Sequence, residues 1–303
     1  MANGMNARAS SRRGKLGWIA AAAAVAYIFL AQLPLEPTRT LSFVDSEPRQ
    51  ALNGLVGAMP ESAWEAKGRF FIPRGDLLGV QELDRSGKKL WSVEFPSAVT
   101  AADISETTSV WGLLDGSIHF VGVDGAARSV VKPASQGVVS RFACIYGLAL
   151  SPDGTRMSAL FGLEPQHFTV FEKEGNGYRL AYDMKLAQPL RSGQPFAFSA
   201  DGKSIAGFTG DGLLFYDAVR GRASTLRNAE LQGECEMTIA PIGNDGFAFL
   251  AAAGQDRYAG LLRQGKLVAF FPVEAESDRL LVDGMHIIIQ GKSKQYRYKV
   301  ESR

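Results

Sequence analysis

Three histidines and a set of aspartates are the side chains in this sequence best suited to chemistry. His119, His167 and His286 are widely separated along the chain. A histidine that holds zinc needs further ligands at short, regular spacing, and no second ligand recurs beside any of the three. His119 and His286 also lie within apolar runs, which favours packed or edge positions. The sequence therefore predicts no metal site and no metal-ligating residue.

The aspartates are explained by turns. Asp153, Asp201, Asp211 and Asp245 each precede a glycine, and Asp-Gly pairs are typical of tight turns. The glycine-rich run 207–212 lies between strand-like runs and opens no helix, so it is unsuited to binding phosphate. The chain contains no Gly-x-Ser-x-Gly motif and no Ser, His and Asp set that stands out. We predict no catalytic residue, no cofactor-binding residue and no enzymatic activity.

The turns belong to a repeated element. Ser151-Pro152-Asp153-Gly154 follows one short apolar run and precedes another, and Ser199-Ala200-Asp201-Gly202 does the same 48 positions later. Strand, Asp-Gly turn, strand is typical of an antiparallel hairpin. More degenerate copies centre on Asp103, Asp245 and Asp283. A hairpin that returns with a period in the forties indicates radial repetition of one structural unit.

A third strand-like run follows most of these hairpins, for example 117–121, 168–171 and 213–217. The unit is therefore three or four short strands, which is one blade of a β-propeller. We predict an all-β domain over residues 51–303. The repeat length gives about six blades, with a seventh if the preceding linker contributes one.

Two parts of the chain also resemble known families. The run Ser-Pro-Asp-Gly-Thr-Arg at 151–156, followed by Phe-Thr-Val-Phe at 168–171, resembles a degenerate WD-repeat blade that lacks the Trp-Asp and Gly-His pairs. Residues 80–91 and 115–125 resemble quinoprotein-type blades. Both resemblances imply a propeller, and neither implies one function, since a fold hosts many. A quinone would need a tryptophan floor and ion ligands that we do not identify, so no cofactor is predicted.

Cys144 and Cys235 stand 91 residues apart, about two repeats. Strands two blades apart are separated by the blade between them, which is too far for a disulfide. We predict two buried free thiols.

The first 33 residues predict a membrane anchor. Residues 1–15 contain four basic and no acidic side chains, and residues 16–33 contain no charge. As a helix the second segment would be about 27 Å long, close to the thickness of the bilayer's hydrocarbon core. We expect a single-pass signal anchor in the cytoplasmic (inner) membrane with the N-terminus inside and the domain in the periplasm or otherwise outside the cytoplasm. A cleaved signal peptide is the alternative, although a small-x-small cleavage site is missing.

Residues 34–50 predict a linker because Pro34, Pro37 and Pro48 interrupt regular structure. Within it, Leu41–Val44 is strand-like, and we expect this strand to pair into the last blade and close the ring. Residues 50–66 fit either a short helix or the first strand of blade one.

The predicted function is chosen from the function classes that these features do not exclude. A formal charge of +2 with scattered basic residues does not predict nucleic-acid binding. We expect a membrane-tethered propeller that acts as a scaffold, binding a protein partner through one loop face within an envelope assembly. A propeller that binds a ligand or carbohydrate in its central funnel, and a quinoprotein-like or hydrolytic enzyme, are the alternatives.

Overall fold

The computed structural model describes residues 41–48, 64–190, 196–231 and 235–301. The predicted tail 1–15 and membrane segment 16–33 lie outside the described residues, as does the stretch 49–63. The chain divides into two units, Met1–Glu36 and Pro37–Arg303, and every described residue belongs to the second. In the described ranges, no helix has the length and apolar character that crossing a membrane requires.

The described residues form six four-stranded antiparallel sheets. We number them I to VI along the chain and call the strands of each sheet A to D. The strands of sheets I to III are β2 Trp64–Ala66, β3 Arg69–Pro73, β4 Gly79–Leu83, β5 Lys89–Glu94, β6 Val99–Ile104, β7 Thr108–Leu113, β8 Ile118–Gly122, β9 Ala127–Val131, β10 Ile145–Leu150, β11 Arg156–Phe161, β12 His167–Glu174 and β13 Gly177–Lys185. Those of sheets IV and V are β14 Phe196–Phe198, β15 Ser204–Phe208, β16 Leu213–Asp217, β17 Arg222–Leu226, β18 Cys235–Ile242, β19 Gly246–Ala253, β20 Asp256–Arg263 and β21 Lys266–Val273. Two short 3-10 helices, Pro133–Gln136 and Ala229–Leu231, lie between sheets.

Sheet VI joins the two ends of the described chain. Its strands A to C are β22 Arg279–Asp283, β23 His286–Gln290 and β24 Lys294–Val300, and its strand D is β1 Leu41–Pro48. β1 pairs antiparallel with β24, with Leu41 opposite Val300 and Pro48 opposite Lys294. This is the pairing expected for a ring-closing strand at 41–44, and the strand extends four residues beyond the predicted end.

The A strands of successive sheets are neighbours from sheet II to sheet VI, so they form the inner layer. Because neighbouring strands run antiparallel, the turns fall at two ends. The A–B end holds the A–B turn of every sheet and the C–D turns of sheets I to V. The B–C end holds the B–C turns and the connections from one sheet to the next. Leu41 and Val300 lie at the A–B end.

Apolar side chains fill the space between successive sheets. Between sheets I and II, the rings of Phe71 and Trp111 meet edge to face with centroids 5.6 Å apart. Between sheets III and IV, Phe168 and Phe196 lie 4.7 Å apart, and Tyr182 and Tyr216 4.9 Å apart. Burying such large side chains between two sheets favours face-to-face packing of the sheets, because each aromatic side chain removes a large apolar area from water.

Candidate functional site

The aspartates of the two best-preserved repeats are turn residues. Gly154 and Gly202 have φ values of 67° and 68°, in the left-handed region predicted for them. In the first turn, the hydroxyl of Ser151 donates to Asp153 Oδ1 at 2.6 Å and accepts from the amide of Arg156 at 2.9 Å. The second turn repeats these contacts through Ser199. The hydrogen bonds stay within each turn, so these carboxylates serve the fold.

A cavity of about 410 Å³ opens at the A–B end, where the A strands of several sheets converge. Its wall is about half polar and half apolar, and the apolar part comes mainly from Leu148–Leu150, Phe196–Phe198 and Ile239. Charged side chains stand on one side of it: Lys67, Asp103 and Glu106. The cavity has the place of a central funnel, and its lining could accept a small ligand with an apolar body.

Asp103 is the titratable group set deepest in that cavity's wall. Its Oδ2 accepts from the amide of Leu150 at 2.6 Å, and its Oδ1 accepts from the amide of Ile104 at 2.8 Å. Burial raises the pKa of Asp103 above its usual 3.8, although both amide hydrogen bonds oppose the shift. Since Ile104 belongs to sheet II and Leu150 to sheet III, the carboxylate joins the inner strands of two sheets.

Other polar groups also join sheets. Arg69 forms a two-pronged ion pair with Glu82 inside sheet I, with distances of 2.9 and 2.6 Å, and donates to the carbonyl of Ser105 in sheet II. Thr100 donates to the carbonyl of Ile145 at 2.6 Å, from sheet II to sheet III. These contacts fix neighbouring sheets against each other, which stabilises the ring.

The histidines stand apart and contribute to packing. His167 is buried, with Nδ1 2.7 Å from Asp183 Oδ1 and Nε2 3.2 Å from the carbonyl of Val139. His119 contacts the hydroxyl of Ser117 and meets the ring of Phe95 edge to face. Burial lowers the pKa of His119 below 6.5, and the nearby Asp115 carboxylate opposes this shift. His286 is half-buried at the start of β23.

Both cysteines are free and buried, as predicted. Cys235 opens β18 and Cys144 immediately precedes β10, so both stand at the start of an A strand. Burial raises the pKa of the Cys144 thiol and raises that of Cys235 to about 11. A thiol with so high a pKa is protonated at neutral pH and is a poor nucleophile.

Among the described residues, no three His, Cys, Asp or Glu side chains are placed to hold a metal ion together. Five large apolar side chains are exposed at the B–C end of sheets I to III. We call this set the B–C patch, and it consists of Leu77, Leu78, Leu114, Val139 and Phe142. Sequence reasoning missed it, because its members come from three turns and connections that only the fold brings together.

Backbone contacts join the turns that carry the B–C patch. The carbonyl of Leu77 accepts from Val99, and the amide of Leu114 donates to Ala98, both at 2.8 Å. The B–C turns of sheets I and II are therefore both hydrogen-bonded to the same short segment, Ala98 and Val99, at the start of β6. The turn that holds Leu114 also contains Gly116, and it lies so close to the connection between sheets II and III that a Cβ on Gly116 would be 2.9 Å from the Cβ of Ala143. The segments that carry the patch are therefore neighbours, from the B–C turn of sheet I to the connection that leads into sheet III.

The comparisons with known proteins agree with this architecture. A family model described as "beta-propeller protein" matches residues 55–243, more than half of the chain. The chain belongs to this beta-propeller family. The resemblance to degenerate propeller repeats noted from the sequence is thereby confirmed.

Individual relatives of this propeller are distant. An uncharacterized protein of Treponema pallidum (strain Nichols) is 26% identical over 154 residues, which cover 50% of this chain and 39% of that protein. The chain thus spans about two fifths of the length of the curated relative it matches. BamB from Moraxella catarrhalis superposes with a TM-score of 0.52 at 13% identity, covering 78% of this chain and 71% of BamB. A KlHsv2 variant with loop 6CD replaced by a Gly-Ser linker gives a TM-score of 0.47 at 12% identity, with 72% of each chain covered. The match to BamB supports the fold alone.

Proposed function

We propose that this protein is a membrane-tethered propeller, positioned outside the cytoplasm, that binds another protein through one of its loop faces. In this proposal the segment 16–33 is an uncleaved anchor in the inner membrane, and the propeller takes part in an assembly of the cell envelope. It uses no metal or organic cofactor and does not bind nucleic acid.

One observation carries the proposal. Five of the nine large apolar side chains that are exposed among the described residues belong to the B–C patch. Single exposed apolar residues are ordinary on a protein surface, whereas a contiguous set typically marks an interaction site. Three polar groups inside the propeller are, by contrast, engaged in the fold: Asp103, His167 and the Arg69–Glu82 pair each join strands or sheets.

A second candidate function rests on the cavity at the A–B end. Its volume of about 410 Å³ lies within the range of small-molecule sites. A ligand held there would contact several sheets at once. Thermal unfolding of the purified full-length chain with and without a panel of oligosaccharides and small amphipathic molecules would reveal it as a rise in Tm.

The tether and the protein-binding function are tested on the full-length chain in its native membranes. A reporter active only outside the cytoplasm is joined after Arg303, and the membranes are then washed at alkaline pH. We expect an active reporter and a retained chain, and neutral replacements of Arg8, Arg12, Arg13 and Lys15 should weaken the orientation. Release of a mature chain starting near Gln32 would contradict the anchor.

Binding is then tested by chemical crosslinking in the same membranes. We expect one discrete adduct with another polypeptide, which should disappear when the propeller is unfolded by substitutions in its core. A chain that remains uncrosslinked under all conditions, or that turns over a substrate through a single carboxylate, would contradict the scaffold function.

A further inference from the structure

A second cavity, of about 600 Å³, lies at the B–C end between sheets V and VI. Its wall comes from strands β18, β19 and β20 of sheet V, from the connection between the two sheets and from the B–C turn of sheet VI. We call it the V–VI cavity. Leu250 belongs both to this wall and to the apolar cluster that packs the two sheets together, so the cavity begins where that packing ends.

One row of side chains on sheet V gives the cavity its shape and charge. Glu236 of β18 lies directly opposite Ala252 of β19, which lies directly opposite Arg257 of β20. Directly opposite residues of antiparallel strands point to the same face, so a carboxylate and a guanidinium flank one methyl group. Because neighbouring strands are about 4.8 Å apart, the Cα atoms of Glu236 and Arg257 are separated by about 10 Å. The small side chain between them leaves room for a molecule that carries partners for both charges.

The charges of the cavity wall are not used by the fold. Five charged residues line the cavity, and they are Glu236, Arg257, Glu276, Asp278 and Lys292. Leaving Asp278 aside, no ion pair within the described ranges involves any of them. At the other end of sheet V, by contrast, Arg263 pairs with Asp245. A few charged groups that converge on a cavity without partners of their own are typical of a ligand site.

Ser277 is a second and independent sign of a ligand. Its side chain is 1% exposed and stands in the cavity wall, and its Oγ has no hydrogen-bond partner in the part of the chain that the structure describes. A buried hydroxyl without a partner is unfavourable for folding alone, and a polar molecule bound beside it supplies one. The connection that carries Ser277 is fixed, because its amide donates to the carbonyl of Glu274 at 2.9 Å and the amide of Asp278 donates to that of Gln290 at 3.0 Å.

The guanidinium of Arg257 is oriented by the backbone. Its Nη1 donates to the carbonyls of Gly254 and Asp256, at 3.0 and 3.1 Å. These bonds hold the half-buried side chain in place without neutralising its charge. An arginine fixed in this way keeps further N–H donors, and the fork of a guanidinium matches the two oxygens of a carboxylate.

We propose that the V–VI cavity binds a small zwitterion with a basic side chain, either a free basic amino acid or a short basic peptide. Arg257 binds its carboxylate and Glu236 its α-ammonium group. Three carboxylates and two basic groups give the wall a formal charge of −1, which favours a ligand with one additional positive charge. The site lies apart from the B–C patch and from the cavity at the A–B end, so the inference goes beyond the function proposed above.

The chain's own segment 49–63 is the competing occupant. It joins β1 to β2 at the same B–C end, and much of it is apolar. Its only charged residues are Arg49 and Glu61, so it could pair with at most one acidic and one basic group of the wall. Three of the five wall charges would then stay without a partner. The charge of the wall therefore favours a separate, charged ligand over this segment.

Isothermal titration calorimetry of the purified full-length chain in detergent tests the proposal, with L-lysine as the probe. We expect one L-lysine to bind per chain and to raise the Tm. Three analogues test the ligand class: L-alanine lacks the basic side chain, cadaverine lacks the carboxylate and L-glutamate reverses the side-chain charge. Each should bind at least about tenfold more weakly than L-lysine.

Variants then locate the site. Glu236→Gln and Arg257→Gln should each weaken L-lysine binding at least about tenfold, because each removes one of the two charges that hold the zwitterion. Ala252→Leu should abolish binding by filling the space between them, and if it disturbs folding the two charge variants decide. Lys266→Gln is the matched control, since it removes a positive charge from the A–B end of the same sheet, and it should bind L-lysine as the parent does.

The failures are distinguishable. No binding of L-lysine, or binding that Glu236→Gln and Arg257→Gln leave unchanged, would overturn the site. An analogue that binds as tightly as L-lysine would overturn the ligand class. A large fall in Tm for Ala252→Leu together with no L-lysine binding would indicate that the chain itself fills the space, and this too would overturn the proposal. None of these outcomes affects the protein-binding function, which the crosslinking experiment tests separately.

Discussion

At the scale of single residues, the buried serines of the hairpin turns do more for stability than their size suggests. Ser151 is fully buried, and its hydroxyl both donates to Asp153 and accepts from the amide of Arg156. Ser151→Ala leaves that amide and carboxylate without this partner, so we expect a loss of about 1–3 kcal/mol in the free energy of unfolding, measured in urea.

Ser158 provides the matched control. It is equally buried, but its Oγ has no hydrogen-bond partner in the part of the chain that the structure describes. Ser158→Ala should therefore be neutral or slightly stabilising, because it removes a buried hydroxyl that gains nothing from the fold. Equal losses in the two variants would show that buried volume, and not the hydrogen bonds, sets the cost.

The carboxylate in the same turn predicts a dependence on pH. Burial alone would raise the pKa of Asp153, but the hydroxyl of Ser151 and the amide and hydroxyl of Thr155 outweigh burial and lower it below 3.8. A lowered folded-state pKa means that the contribution to stability is fully present above pH 3.8 and is lost as the pH falls through the folded value.

Asp153→Asn should accordingly be less stable than the parent at pH 7, and the difference should shrink when urea unfolding is repeated at decreasing pH below 3.8. A difference for Asp153→Asn that stays constant through the acid range would contradict the assignment.

Sequence reasoning recovered some of these residues and missed others, and sequence separation decides which. The Asp-Gly turns were predictable because the hydrogen bonds of their serine and aspartate side chains lie within five residues. Asp103 was noted only as part of a degenerate repeat, since its bond to the Leu150 amide spans 47 positions. Leu77 was not singled out, because its left-handed backbone is imposed by a turn that contacts the next sheet.

At the scale of elements, the hairpin glycines are the turn positions that accept the fewest other residue types. Gly154 and Gly202 both hold a positive φ, and their turns lie side by side, with a Cβ on Gly202 falling 3.6 Å from that of Ser151. Gly154→Val and Gly202→Val should each lower the free energy of unfolding by about 1 kcal/mol or more, because a β-branched residue is strained there.

Thermal unfolding followed by circular dichroism measures these losses. Gly177→Val is the control: Gly177 begins β13, has no positive φ and is open to a side chain. We expect little change in its Tm. If all three variants have the same Tm as the parent, the left-handed turns do not limit the stability of the domain.

The strands themselves were predictable in proportion to their burial. β10 and β15 are almost wholly buried, and apolar runs in the sequence mark both. The outer strands β5 and β13 alternate half-buried with exposed residues and carry many charges, so they have no comparable apolar signature. This is why the sequence predicted a repeat of three or four strands, whereas each described sheet has four.

At the scale of the whole molecule, the repeat length predicted about six blades, and the described residues form six sheets. The sixth is composite, with three strands from the C-terminal part and one from the N-terminal part of the chain. The repeat pattern alone could not establish this, because β1 lies far from its partner in sequence. The expectation came from the physical cost of leaving a strand edge unpaired.

That composite sheet gives the last prediction. Deleting residues 39–44 removes half of β1 and exposes the edge of β24 near Val300. The residues that would move into their place include Pro34 and Pro37, which cannot donate backbone hydrogen bonds, so a shifted strand should not restore the pairing. We expect the Tm of the full-length protein to fall by roughly 5 °C or more, which corresponds to about 2 kcal/mol for a domain of this size. Protease cleavage should begin in the sixth sheet. Deleting residues 34–38 instead shortens the same segment but keeps β1, so its Tm should match the parent's. If both deletions melt alike, β1 is not what holds the two ends of the chain together.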